Sequence, residues 1–479
     1  MNYQQIVDYL IRRGNELVTA DFRLERMQRL LTCLGQPQDA VPSIIVAGTN
    51  GKGSVSAMME SVLRQAGWRT GLYTSPHLVS ICERIQVGGR LITPEEFAAH
   101  ASRVWEVGST LVSRGELSSM PTFFEHVTAV GFLHFCQQRV DVAVLEVGLG
   151  GRLDATNVAP SFMALISQID FDHQDILGDT IEAIAREKSG VIKNSTKAVV
   201  VAPQRPAASS VIEQRCQLFG LQPQWTQHLR ERVCVDQIDA DGCVRFSLRT
   251  DEREYRGIRL SLPGDHQIEN AVVVIRAAEM LNQLGICVPA DAVIAGLQVV
   301  QWPGRLEWLV PFQSSTDAGL NGGRRASSNG GRGRPAILLD GAHNRAGAVA
   351  LRSFLERFLS VPITFVFGVM RDKQIAEMAQ LLFPPARHVI LTRVENERSA
   401  DPDEIEPLVS PFCRHVLTTR TVEQAMRQAL ALTPPNGLIC VAGSLYLVGA
   451  VKQLWPTVSR RLAAIGRSSP ALAPHVSEV

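Results

Sequence analysis

Apolar residues along this chain change their period several times, and the changes mark out elements. Over 3–18, Ile6, Tyr9, Leu10 and Leu17 recur at helical spacing, and 24–34 (LERMQRLLTCL) repeats the pattern before Gly35 and Pro37 end it. Residues 43–47 (SIIVA) are an apolar run of strand length. From Ser54 onward, Val55, Met58, Met59, Val62 and Leu63 lie on one helical stripe. A strand over 70–73 is stopped by Pro76, which has no N–H to donate. Helices are expected over 94–107 and 124–138. The run 141–147 (DVAVLEV) is apolar without alternation, as in a strand buried on both faces of a parallel sheet. Further strands follow at 162–169 and 196–202, with helices from Thr180 and over 206–219. The polar stretch 221–262, with short alternating runs such as 244–248, predicts an antiparallel excursion, and 262–270 opens a long helix. From Ala336 the alternation restarts. Strands at 337–340, 364–369, 388–392, 415–417 and 438–442 interleave with helices at 346–358, 373–382, 403–409 and 421–431, a second doubly wound domain.

Between the two regular stretches lies 313–335, rich in Gly, Ser and Arg and poor in apolar residues, which reads as a disordered insertion. Residues 466–479 read as a loose tail. The expected division is therefore 1–308, an insertion over 309–335, 336–465, and the tail.

Composition narrows the class. At 45% hydrophobic and 20% charged the chain can build ordinary globular cores. A formal net charge of +1 argues against broad nucleic-acid binding. Nine scattered cysteines without a C-x-x-C pair suggest neither a zinc site nor a disulfide framework, which fits a reducing, cytoplasmic setting. The N-terminus lacks a signal layout and no apolar run reaches spanning length, so no membrane partner is expected.

The chemistry is concentrated after the first strand. Residues 48–53 hold three glycines and Lys52 between a strand and a helix. Such a turn lets backbone N–H groups approach an anion, and the helix's first N–H groups point the same way. The common phosphate loop is G-x-x-x-x-G-K-[ST]. Here Val46 replaces its first glycine and Gly53 follows the lysine. A flexible surface turn is the plain alternative, but an apolar strand feeds the loop and a lysine sits within it.

The stretch GTNGKGS resembles the ATP loop of the folylpolyglutamate synthase and dihydrofolate synthase family, within the wider Mur ligase group. Four more stretches resemble that family's signatures in its order: TSPHL, EVGLGGRLDATN, the Asp172-His173 pair with a downstream EKSG, and DGAHN. The resemblance covers nearly all the chain apart from the insertion and tail. It implies an α/β fold with an N-terminal P-loop-type ATPase domain, its sheet mostly parallel, and a smaller C-terminal Rossmann-like domain. It implies ATP as co-substrate, bound by Thr49, Asn50, Gly51, Lys52, Gly53, Ser54, Asn270, Arg305 and Asp340. Two Mg2+ ions are implied, with Ser75, Glu146 and His173 as ligands and Lys188 as a carbamylated lysine facing the second ion. The pterin or folate would meet Asp21, Phe22, Arg23, Thr122, Phe123, Phe124, Glu125, Leu153, Asp154 and Ala155, with His343 toward the glutamate. Arg345 stands where the family pattern has proline.

The implied reaction moves the γ-phosphoryl group of ATP onto a carboxylate, and the amine of L-glutamate then displaces phosphate. Its partners are small molecules: dihydropteroate, folates, L-glutamate and ATP. A monomer is expected. The bifunctional type is favoured, because 122–125 resembles its pterin loop. A folylpolyglutamate synthase alone, another Mur-type amide ligase, and a nucleotide-binding regulator without catalysis stay open.

Overall fold

The computed structural model describes residues 1–14, 24–312 and 334–465. The expectations for 15–23, which include Asp21, Phe22 and Arg23, and for most of the insertion and the whole tail lie outside these residues. The chain divides into two compact units, Met1–Arg305 and Leu306–Val479.

The first unit is built on an eight-stranded sheet. Its strands are β1 (Ser43–Ala47), β2 (Thr70–Tyr73), β3 (Ile85–Val87), β4 (Arg90–Leu91), β5 (Val142–Glu146), β6 (Ser161–Ile166), β7 (Ala198–Val201) and β8 (Gln224–Trp225), in the order β4-β3-β2-β5-β1-β6-β7-β8. From β2 to β8 neighbouring strands run parallel, while β3 and β4 add an antiparallel edge. The strand expected to be central, β5, lies between β2 and β1.

Helices cover both faces. They are α1 (Tyr3–Arg12), α2 (Glu25–Cys33), α3 (Lys52–Gln65), α4 (Pro94–Ser113), α5 (Phe123–Gln137), α6 (Gln174–Leu177), α7 (Ile181–Ser189), α8 (Pro206–Gln217), α9 (Gln227–Arg230), α10 (His266–Gln283) and α11 (Ala290–Val299). Alternation along the strands sorts the core. Ile44 and Val46 of β1 join Val142 and Val144 of β5 in the cluster that holds α3, α10 and α11. Ala143 and Leu145 face the α4 and α5 side, and Ile45 and Ala47 face α7 and α8. The same period puts Glu146 on the face of α3.

Tertiary packing overrides one boundary read from the sequence and adds one helix. Helix α4 continues through Gly108 to Ser113, because Gly108 packs against Met120 and Pro121 and Leu111 is buried. Helix α11, absent from the elements expected above, crosses α3 so closely that a Cβ on Gly296 would lie 2.5 Å from the Val62 Cα. The polar stretch forms a three-stranded antiparallel sheet of β9 (Val233–Ile238), β10 (Val244–Arg249) and β11 (Glu254–Leu260), as its alternation suggests.

The second unit carries a six-stranded sheet of β12 (Glu307–Val310), β13 (Ala336–Leu339), β14 (Ile363–Phe367), β15 (Ala386–Thr392), β16 (Val416–Thr419) and β17 (Leu438–Ala442), in the order β12-β13-β17-β14-β15-β16. It is parallel apart from β12. Helices α12 (Arg345–Leu355), α13 (Ile375–Leu382), α14 (Pro402–Val409), α15 (Val422–Leu432) and α16 (Leu445–Ile465) alternate with it. All five strands expected there are present. Strand β12 is an addition, so 306–308, read from the sequence as the end of the first domain, belong with the second unit. Among the described residues no helix is long and apolar enough to cross a membrane.

The Gly296 crossing gives a direct test. Gly296→Ala should destabilise the first unit by about 2–3 kcal/mol, since two backbones would have to part. An unchanged denaturation midpoint would show that the helices have room to separate.

Candidate active site

Strand β1 delivers the glycine loop to the edge where the parallel strands end. Gly51 sits at φ +85°, a left-handed conformation that costs glycine little, and it caps α3. Lys52 is therefore the first residue of the helix, two positions earlier than its apolar stripe shows. The loop itself is tied to the chain after β6. Thr49 and Asn50 N–H groups donate to the Gln168 carbonyl at 2.8 and 3.2 Å. The Thr49 hydroxyl donates to Asp170 O at 2.9 Å and accepts from Asp170 N at 3.0 Å. Those two amides were expected to face phosphate, and here they hold the loop. The donors that remain for an anion are in the first turn of α3, at Lys52, Gly53 and Ser54, where a helix has no partners of its own for N–H groups.

Two lysines meet at this loop. Lys52 Nζ donates to the carbonyls of Gly48 and Thr49, both at 3.1 Å. Lys188, from α7, donates to the same Gly48 carbonyl at 2.8 Å and is only 4% exposed. Burial, with the nearby charge of Lys52, pulls the Lys188 amine down to about 7. Asn270 also reaches the loop, its Oδ1 lying 2.4 Å from where a Cβ on Gly51 would be. Its Nδ2 donates to Gln267, and Gln267 in turn donates to the Ser54 hydroxyl. The Trp302 ring covers Gly53.

Glu146 ends β5 next to Val46 of β1. Its Oε2 accepts the Ser75 N–H at 3.0 Å, because Ser75 follows β2, the other neighbour of β5. Burial pushes the carboxyl up to about 7, opposed by the charges of Lys52, Arg305 and Arg84 and by the Ser75 N–H. Arg305, the last residue of this unit, thus acts electrostatically on Glu146 as well as on His266, whose imidazole burial holds down at about 4. His173 follows β6 in a left-handed turn, φ +50°, with Nε2 3.7 Å from Asp172. The strand order sets Ser75, Glu146, Lys52 and His173 after four neighbouring parallel strands, at one sheet edge.

Does this set suit Mg2+? Among the described residues no group of three or more His, Cys, Asp or Glu forms a cage. The expected set has only two such side chains, plus a hydroxyl, which suits an ion that keeps phosphate and water oxygens as ligands. A buried carboxyl driven to about 7 is also a group whose charged form a cation would stabilise. The donors fit the ion.

Among the described residues expected at the acceptor, Thr122, Phe123, Phe124 and Glu125 form the start of α5. Thr122 caps the helix and forms a capping box with Glu125. Glu125 is not simply a ligand group, for its Oε2 also accepts from Arg26 Nε at 2.8 Å. Arg84, buried, lies over the Phe123 ring at 5.2 Å and donates to His77 Nδ1. The Phe124 ring packs on Gly148, 2.5 Å from where its Cβ would be. Asp154 is used within its own loop. It accepts from Gly148 and Leu149 N–H on one oxygen and from Thr156 on the other. Ala155 beside it is buried and Leu153 half-buried. Arg26, Arg84 and Trp302 carried no periodic signal. Arg84 and Trp302 do sit close in sequence to TSPHL and to Arg305, which is the hint they gave.

In the second unit, Asp340 ends β13 and accepts the N–H groups of Leu306 and Ala342, each at 2.9 Å. His343 Nδ1 donates to the Gly341 carbonyl at 2.8 Å, which fixes its tautomer. Arg345 begins α12 with Asn344 as its cap, so the helix starts there without a proline.

Comparison with known proteins adds to this geometry. The family model described as Mur ligase middle domain matches residues 46–278, and Mur ligase, glutamate ligase domain matches 324–445. A dihydrofolate synthase/folylpolyglutamate synthase of Bacillus subtilis is 32% identical over 440 residues, covering 90% of this chain and 94% of its own. The structure of Mycobacterium tuberculosis folylpolyglutamate synthase complexed with ADP superposes with a TM-score of 0.82 at 30% identity, over 95% of this chain and 98% of that one. Escherichia coli FolC in complex with DHPP and ADP gives 0.79 at 26% identity, over 96% and 99%.

The raised Glu146 carboxyl predicts a pH signature. Its folded pKa of about 7 exceeds the usual 4.5, so its stabilising effect is complete below 4.5 and fades as pH rises through 7. Without metal or nucleotide, Glu146→Gln should flatten the fall in melting temperature between pH 5 and 8 and melt higher than the parent at pH 8. Parallel curves for the two proteins would rule out the raised carboxyl.

Proposed function

The chain belongs to the folylpolyglutamate synthase and dihydrofolate synthase family, within the Mur ligase superfamily, as an ATP-dependent glutamate ligase of folate metabolism, and from that premise we propose that it is the bifunctional type. It adds L-glutamate both to dihydropteroate and to reduced folyl-(poly)glutamates. The observation that carries the ligase chemistry is Glu146, a buried acid at a strand tip whose charge is favoured by Lys52, Arg305 and Arg84. Such surplus positive charge suits the meeting of a triphosphate with a carboxylate, two anions that otherwise repel. The double name of the Bacillus relative and the DHPP in the Escherichia complex support the second acceptor.

The chain's own residues divide the work. The α3 N-terminus and Lys52 take the β- and γ-phosphates, Lys52 turning from the Gly48 and Thr49 carbonyls to do so. Asn270, held by Gln267, and Arg305 serve the nucleotide, and Asp340 is assigned to it by the motif it belongs to. The γ-phosphoryl group passes to the acceptor carboxylate and ADP leaves. The glutamate amine attacks the acyl carbon, the C–O bond to phosphate breaks, and the amine loses a proton. Positioning and charge supply most of such a reaction. Ser75, Glu146 and His173 would hold one Mg2+, and carbamylated Lys188 would face a second, the ions screening the two anions. Lys188 suits carbamylation because an amine at about 7 is half neutral at that pH, with a lone pair to add to CO2 as its proton leaves. Thr122, Phe123, Phe124, Glu125, Leu153, Asp154 and Ala155 border the pterin, and His343 serves the glutamate. We take the enzyme to be a cytoplasmic monomer, a setting that its nine free cysteines favour.

Phosphate release from ATP, measured with each acceptor plus glutamate, tests the reading. Release with both dihydropteroate and tetrahydrofolate is expected. Release with tetrahydrofolate alone would reduce the enzyme to chain extension, and silence with both would end the proposal. Lys52→Ala should lose turnover with either acceptor while its melting temperature moves by only a few degrees. An active variant would refute the role given to Lys52.

A further inference from the structure

We propose that Arg26 is a positioning residue for the acceptor, fixing Glu125, and through it the start of α5, in the orientation that receives the pterin end. The inference rests on the acceptor reading above. It begins from a contact between distant parts of the chain. Arg26 lies on α2, yet its Nε donates to Glu125 Oε2 at 2.8 Å and its Nη1 to the Ser119 hydroxyl at 2.9 Å. The two charged side chains are only 10% and 7% exposed. A pair buried this far carries a desolvation cost that a surface pair does not.

Two more arginines from the same N-terminal stretch hold the same segment. Arg13 Nη2 donates to the Met120 carbonyl at 2.9 Å, and Arg29 pairs with Glu116. Residues 116–125 are thus gripped at three points before α5 begins and at a fourth, Glu125, in its first turn. The helix does not need this grip in order to start, because the Thr122–Glu125 capping box already satisfies its first N–H groups. What Arg26 adds is a fixed carboxylate. Oε2 takes both the Arg26 Nε and the Thr122 N–H, so among the described residues Oε1 is the oxygen offered to an outside donor. A carboxylate only accepts hydrogen bonds, which matches the amino and ring N–H groups of a pterin.

The consequence reaches beyond Glu125. The next residue toward the N-terminus, Phe124, is wedged on Gly148 and meets Tyr73 edge-on at 6.1 Å. Gly148 is two residues past Glu146. A pivot at the start of α5 would therefore shift the acceptor relative to the phosphate end of the site. Positioning, more than stability, is what a fixed Glu125 contributes.

Steady-state kinetics with Arg26→Lys, Ser119→Ala, Glu125→Gln and the Arg26→Lys/Glu125→Gln pair test this. Lysine keeps the charge but cannot span Glu125 and Ser119 with one planar fork. In Arg26→Lys the KM for dihydropteroate should rise about tenfold, the worth of a charged hydrogen bond, with the KM values for ATP and glutamate within about twofold. Arg26→Lys should add less than about twofold in the Glu125→Gln background, since it acts through that residue. If Arg26→Lys loses its fold, Ser119→Ala gives the same reading with a rise of roughly threefold. An unchanged acceptor KM in the folded variant overturns the proposal. So does a parallel rise in all three KM values, or full additivity in the double variant. A parent enzyme silent with both acceptors would sink the reading underneath as well, whereas an active parent with unmoved variants sinks only the role of Arg26.

Discussion

An acid at the end of a strand buried on both faces is expensive, and the first unit is arranged around that cost. Residues 142–145 ahead of it are all apolar, so Glu146 cannot turn away to solvent without breaking the central strand. Its charge must be met where it stands. The partners come from four separate places: Lys52 from the first turn of α3, the Ser75 N–H after β2, Arg84 at the end of a short helical turn, and Arg305 at the end of the unit. Parallel strands make this possible, because their ends all emerge at one edge. An antiparallel sheet would scatter them.

The turn after Glu146 is fixed just as firmly. Asp154 collects the N–H groups of Gly148, Leu149 and Thr156, so the turn closes on a single carboxylate. Asn157 continues it by donating to the carbonyls of Arg152 and Gly190, and Lys193 Nζ binds Asn157 and Ala159. Arg152 pairs with Glu187. Since Glu187 and Gly190 flank Lys188, this network sets the end of α7 against the glycine loop. Lys188 then reaches Gly48 without exposure to water. Its lowered amine and the raised acid of Glu146 are two results of one desolvated edge.

Much of this was legible in the chain, for identifiable reasons. Strands buried on two faces leave unbroken apolar runs, so β1, β5 and the strands β13, β14 and β17 of the second sheet could be read directly. The glycine loop and Glu146 could be read because they stand at element ends, where side chains are not spent on packing, whereas Asn270, inside α10, is assigned only through the family resemblance. What stayed hidden depends on contacts between distant segments. Arg26 and Arg84 look like any surface arginine until the fold buries them against Glu125 and Phe123. Helix α11 is recognisable only by its crossing with α3. Roles also shifted inward. The amides of Thr49 and Asn50 and the carboxylate of Asp154 hold backbone in this structure, where a motif suggests ligand contacts.

That shift bears on how specificity can arise. If every polar group near the acceptor met ligand directly, discrimination would depend on the number of contacts. Here Asp154 and Glu125 are first committed to the protein, and only the directions left over are open to a substrate. A group so fixed loses little freedom on binding, which favours a matching donor and leaves a mismatched one unpaired. In the proposed assignment the acceptor end is governed by the internal bonds that aim these carboxylates. The phosphate end is governed by charge, with Lys52, Arg84 and Arg305 all acting on Glu146. Arg84 belongs to both, since the same guanidinium that opposes protonation of Glu146 lies over Phe123 at the start of α5. On the proposed reading, one buried cation couples where the acceptor rests to how much positive charge its carboxylate meets.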